Sequence, residues 1–276
     1  MTATIFNSTP CKLGEGPLWH PLRNELFWFD ILGKRLHSNE KVWQFNEHVS
    51  AAGWLDKDTL LIASESKLFQ FDLETAVQTV VSPFEADKPG NRSNDGRADP
   101  FGGFWVGTMG KNSEAGAGAI YRWYGGTLEQ MFDGITISNS ICFAPDRSTA
   151  YFSDTVTRQI MRQSLDSEGW PKERPEVLID LNDEELNPDG AVVDTKGCLW
   201  VAQWGAARVA QYAPDGTFMS SIAVPGKQAS CPAFGGKDLR TLYVTTAAIG
   251  LNGPAEGLTY SQEVPSIGQA EHRVTI

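Results

Sequence analysis

The sequence predicts an all-β fold: a six-bladed β-propeller whose blades are four-stranded antiparallel sheets. Three observations lead there. One strand–turn–strand unit recurs six times along the chain. Nine tryptophans and 27 glycines suit a sheet-rich, turn-rich chain, and helical periodicity is almost absent. An apolar run at the N-terminus offers a strand with which to close a ring. The unit is clearest at Asn187-Pro188-Asp189-Gly190. The apolar run 191–193, the turn Asp194-Thr195-Lys196-Gly197 and the second run Leu199-Trp200-Val201 follow it. That reads as strand, tight turn, strand, with a carboxylate at the mouth of the first strand.

The other units follow the same plan. The first opens at Glu15, turns at 20–24 (which puts His20 in a turn) and continues through 25–30 and 34–37. The second opens at Ala51, turns at 56–58 and continues through 59–63 and 67–71. The third opens at Asn94, turns through 99–103 and continues through 104–108 and 118–123. The fourth opens at Asn139, turns at Ala144-Pro145-Asp146 and continues through 150–154 and 159–162. The fifth, opening at Asp189, has its third strand at 208–212. The sixth opens at Ser230, turns through 235–237 and continues through 241–245, with a third strand near 257–260. The opening positions are separated by 36, 43, 45, 50 and 41 residues. One propeller blade takes roughly 40–50 residues, so six units fill residues 1–276 as a single domain.

Fourth strands carry the weakest signal; 78–81, 128–132 and 218–222 supply three of them. Ala3-Thr4-Ile5-Phe6 is expected to be the outer strand of the last blade, which removes a free edge. The stretch 182–186 is too short for more than a turn. A pair of β-sandwiches is the rival architecture, and the repeat count argues against it.

Composition narrows the function. The net charge is −11, with 34 acidic against 23 basic residues, and no basic patch, so no nucleic-acid partner is expected. No apolar run reaches 18 residues, and the N-terminus lacks the basic and apolar regions of a secretory signal. The expectation is therefore a cytoplasmic protein with no membrane segment. Cys11, Cys142, Cys198 and Cys231 form no CxxC pair and are expected to be reduced, buried apolar residues. No GxSxG or HExxH motif occurs and histidine is scarce, which disfavours nucleophilic triad chemistry.

In a propeller the first strand of each blade lines the channel, so equivalent positions form a ring. The aligned opening residues are Glu15, Ala51, Asn94, Asn139, Asp189 and Ser230. Carboxylates and amide oxygens facing one another are costly to desolvate unless a cation sits among them. Oxygen-only donors suit a hard cation such as calcium, magnesium or manganese. A single Asp or Asn at a strand end is ordinarily a turn residue; the coincidence of four in one register points to a site. The repeated acids Asp56, Asp99, Asp146 and Asp194 fall in the turn after the first strand and are read as turn caps. Trp19, Phe104, Trp105 and Trp200 are read as packing between blades, while Trp204 could reach the mouth.

Five motifs then match a known pattern: Leu13-Gly14-Glu15-Gly16-Pro17, Asn91-Arg92-Ser93-Asn94-Asp95-Gly96, Gly107-Thr108-Met109, Asn139-Ser140-Ile141-Cys142-Phe143-Ala144-Pro145-Asp146 and Pro188-Asp189-Gly190. They run through most of the chain in order. The chain resembles the SMP-30/gluconolactonase/luciferin-regenerating family of six-bladed propellers. The resemblance implies metal ligands at Glu15, Asn139 and Asp189 and substrate contacts at Arg92 and Asn94. It implies one divalent cation, calcium first, with zinc, manganese, magnesium or iron(II) as alternatives. The implied activity is opening of a sugar lactone to the sugar acid, with Asp189 as general base. Where some members carry acidic residues after Gly-Thr-Met, this chain has Lys111-Asn112, which leaves the substrate open. The alternatives are a non-catalytic metal-binding scaffold, or an esterase or phosphotriesterase on the same fold.

Overall fold

A computed structural model describes all 276 residues. Six four-stranded antiparallel sheets stand around one axis. Their inner strands are Gly14–His20, Val49–Trp54, Asn91–Ala98, Ser138–Phe143, Asn187–Val193 and Gln228–Gly235. The β-propeller expected from the repeats is the fold observed. The sole helix is a 3₁₀ turn at Thr155–Thr157. The expected fourth strands lie at Gln78–Pro83, Thr127–Ile135 and Phe218–Ala223. Two further outer strands, Val42–Gln44 and Glu176–Asp180, not read from the sequence, complete the first and fourth blades. His20 is not in a turn. It ends the first inner strand, fully buried, with Nε2 2.9 Å from the Asp56 carbonyl oxygen.

Closure works as expected. Thr4–Asn7 pairs with Thr259–Glu263, so the last blade takes its outer strand from the N-terminus. The four turn acids also behave as read. Asp99 Oδ1 accepts the Phe101 and Gly103 N–H groups, and Asp194 Oδ1 accepts those of Lys196 and Cys198. Asp56 and Asp146 each accept the N–H two residues on.

Middle strands are sandwiched between neighbouring blades, so both faces are covered; Phe104–Gly110 is buried throughout, and the inner strands are buried too but carry polar residues at the axis. Outer strands face solvent and lose that pattern, as in Thr127–Ile135. The apolar interior consequently divides into six clusters, one at each interface between blades. The largest, 16 buried residues, lies between the first two blades; the smallest, six, lies at the closing seam between last and first.

Residues after the last strand supply a feature with no sequence signal. The tail crosses the end of the channel opposite the mouth. Gln269 Nε2 donates to the carbonyls of Phe143 and Val193, and Val274 enters the core beside Ala98 and Phe104. Glu271 pairs with Arg97, whose guanidinium is buried beside Asp95. Removing one partner of a buried ion pair leaves an uncompensated charge. Glu271→Ala should therefore lower the unfolding free energy by about 3 kcal/mol. Urea denaturation measures this, and a loss below about 0.5 kcal/mol, the usual range for surface changes, would show that the strap is not structural.

Candidate metal centre

Each inner strand breaks its ladder at the same depth. The register slips between Glu15 and Leu18, Val49 and Ala51, Ser93 and Gly96, Asn139 and Cys142, Pro188 and Ala191, and Ala229 and Cys231. A β-bulge of this kind turns side chains out of the pleat, here toward the axis. Glycine has a definite part in two of them. A Cβ on Gly16, which has φ 52°, would lie 2.1 Å from the Ser50 carbonyl oxygen. One on Gly190 would lie 2.3 Å from Cys231 Sγ. Ser140 holds the left-handed conformation without being glycine, at φ 58°. Its hydroxyl donates to the Asp189 carbonyl at 2.5 Å, which compensates the strain.

The bulges bring Glu15, Arg92, Asn94, Asn139 and Asp189 to one cavity of about 360 Å³. The sequence alignment placed Glu15, Asn94, Asn139 and Asp189 in one register; the ladder separates them by a residue. Glu15 and Asn139 are still paired, with Phe29 and Ser153, whereas Asn94 and Asp189 occupy the first unpaired position of their bulges. Ala51 and Ser230 do not reach this cavity.

All five are buried, and the two acids lack matching charge. Burial raises the Glu15 carboxyl above its ordinary range, and Asp95 adds to the effect against the Gly16 N–H and Arg92. Asp189 is likewise raised, by burial first, then by Glu15 and Asp95. Burial pulls Arg92 down to about 10, against the opposing pull of Glu15 and Asp189. One guanidinium does not balance these carboxylates.

A chain of hydrogen bonds fixes how the donors face. Arg92 Nη1 donates to Asn94 Oδ1 at 2.7 Å. Asn94 Nδ2 donates to the Ser138 carbonyl at 2.8 Å and to Asn139 Oδ1 at 3.1 Å. Asn139 Nδ2 donates to Thr155 Oγ1 at 2.7 Å, and that hydroxyl donates onward to the Pro188 carbonyl at 2.8 Å. Thr155 has one proton, and Pro188 accepts it, so toward Asn139 it can act only as acceptor. The Asn139 amide is thereby locked with its oxygen toward the cavity. Asn94 has both ends engaged with protein, so it orients Arg92 and Asn139.

The donor set fits a divalent cation. Glu15, Asn139 and Asp189 offer oxygen only, are buried, and carry repulsion that a cation relieves. Sequence reasoning missed Thr155, which no motif marks. It also missed most of the cavity wall, including Leu13, Leu32, Met109, Ile137 and Ile249. Trp204 does reach the mouth, and Lys111 lines the cavity. Lys111 Nζ lies 2.7 Å from Glu65 Oε2, which His48 also contacts. Asn112 is exposed and donates to Glu114.

With this geometry in view, comparison with known proteins is decisive. Residues 13–248 match the model of the SMP-30/Gluconolactonase/LRE-like region. The chain belongs to this family. A Rhizobium meliloti protein provisionally named a sugar lactone lactonase is 41% identical over 88% of this chain and 85% of its own. The L-arabinolactonase of Azospirillum brasilense is 36% identical over 92% of this chain and 87% of its own. A crystal structure from Agrobacterium tumefaciens, described as a calcium-binding protein, regucalcin, superposes with a TM-score of 0.97. It is 38% identical, covering 100% of this chain and 98% of that one.

Thr155→Val, which keeps the shape but cannot accept from Asn139, should weaken divalent-ion binding by about 10-fold or more, and Thr155→Ser should restore it. Isothermal titration reads the affinity. Equal loss in the serine variant would show that the threonine only packs.

Proposed function

We propose that the protein is a sugar lactone hydrolase that depends on one divalent cation. The observation that carries the reading is the meeting, in one cavity, of an all-oxygen buried donor set and a guanidinium. Lactonase-named relatives at similar length support the substrate class. Glu15, Asn139 and Asp189 would hold the cation, which would supply Lewis acidity toward a carbonyl oxygen. Calcium is our first choice, because the donors are all oxygen and because the Agrobacterium structure is described as calcium-binding.

The chain's own groups account for the remaining steps. Arg92 offers a fork of N–H donors to the lactone or its hydroxyls, held in place by Asn94. Asp189, in its ionised form, accepts a proton from water as the water oxygen attacks the carbonyl carbon. The ring C–O bond breaks, the ring oxygen takes up that proton, and the sugar acid leaves. A carboxylate that also holds the cation is a weak base, but a lactone carbonyl needs little activation of the attacking water. The apolar walls from Leu13, Met109, Ile137 and Ile249 limit the water that reaches the reacting carbon.

Two measurements test this. Chelation should abolish hydrolysis of aldono-lactones in a pH-drop assay, and a divalent ion should restore it. Asp189→Ala should lower kcat by at least about 100-fold with the fold retained. Undiminished hydrolysis by chelated protein would remove the metal from the mechanism, and ion binding without turnover on any lactone, ester or phosphotriester would mark a scaffold.

A further inference from the structure

Away from the hub, three buried groups converge at the closing seam. Cys11, Asp30 and His37 are 1%, 2% and 2% exposed, and one candidate ligand atom from each lies within 4.8 Å of the others. No hydrogen bond joins any two of them. Asp30 Oδ1 is fixed by the N–H groups of Leu13 and Gly33, both at 3.0 Å. His37 Nε2 is buried without a partner, and its imidazole stacks on Trp28 at 5.5 Å, while the Trp28 side chain hydrogen-bonds toward the Cys11 thiol. A buried polar atom left without a partner carries its full desolvation penalty. One that stands among a thiol and a carboxylate calls for a bound species there. Three atoms within 4.8 Å of one another share a centre no more than about 2.8 Å from each, a little beyond a zinc–sulfur bond, so small side-chain shifts would bring all three to an ion.

We propose that Cys11, Asp30 and His37 form a second metal site, taking a zinc-class transition metal. Thiolate, carboxylate and neutral imidazole together carry two negative charges, so a dication leaves a neutral cluster in a buried place. Sulfur and imidazole select zinc or cobalt, where the oxygen-only hub selects a harder ion. Binding releases the thiol proton to solvent, and three protein ligands leave a fourth position for water. The location gives the ion structural work. The Cys11 N–H donates to the Gly257 carbonyl and its carbonyl accepts from Ala248, both after the last blade's middle strand, whereas Asp30 and His37 belong to the first blade. The metal would therefore clip together the seam that has the smallest apolar cluster.

Cobalt(II) titration of metal-free protein tests the site. A sulfur-to-cobalt charge-transfer band should grow to one equivalent, yield to zinc but not to calcium, and persist in the hub variant Asp189→Asn. Cys11→Ala should lose the band together with any zinc-dependent rise in Tm; should that variant not fold, His37→Gln takes its place. Absence of the band in the native protein overturns the proposal, whatever the variants do, and leaves a water among these groups.

Discussion

Six strands that converge on one axis cannot keep a regular ladder and also point chosen side chains along that axis. The bulge in every inner strand resolves this conflict, and the site depends on it. Loss of local pairing is offset by bonds between blades. Ser50 Oγ donates to Ser93 Oγ, Ser140 Oγ to the Asp189 carbonyl and Ser230 Oγ to the Gly14 carbonyl. Asn94 reaches the Ser138 carbonyl in the same way. The backbone that the bulges free is thus recruited to hold the ring together. A glycine is needed where a neighbouring blade comes closest, at Gly16 and Gly190.

Concentrating acids at the hub has an electrostatic consequence. Glu15, Asp95 and Asp189 are all raised by burial, and two basic groups face them from opposite sides. Arg92 stands at the cavity; Arg97 stands beneath, shared between Asp95 and Glu271 of the tail. Asp95 is satisfied structurally, since its oxygens accept the Gly96 and Ile141 N–H groups. Glu15 and Asp189 are the acids left facing open space. Of the hub carboxylates, these are the pair with coordination capacity to spare.

Much of this was legible in the sequence, because the relevant signals are local. Blade spacing, apolar runs and turn acids are properties of short segments, and they located every inner strand. The set of polar residues that meets in the cavity was legible because it recurs at blade openings. Its one-residue offset was not, because a bulge changes register without changing composition. Thr155 and the tail were hidden for a different reason. A threonine acting as an acceptor across 16 residues, and a strap that binds through backbone carbonyls, leave no periodicity. The cluster at Cys11 joins residues that are individually unremarkable: a buried cysteine, a turn-capping aspartate and a strand histidine.

The two ends of the channel are built on different principles, and this bears on how substrate choice is encoded. The far end is closed by backbone contacts of Gln269 and by a buried ion pair, interactions that admit little change without cost to the fold. The mouth is lined by side chains from separate loops and bulges, including Lys111, Ser113, Ile249 and Trp204. None of these is a candidate ion ligand. Lys111 is tied to Glu65, so its charge is partly answered before a substrate arrives. Alterations there would reshape the cavity without removing a hydrogen bond of the Asn139 amide. With the proposed lactonase chemistry, the strands would hold the reacting groups and the loops would set selectivity, a division the propeller permits because each blade's inner strand and its connecting loops face the same channel.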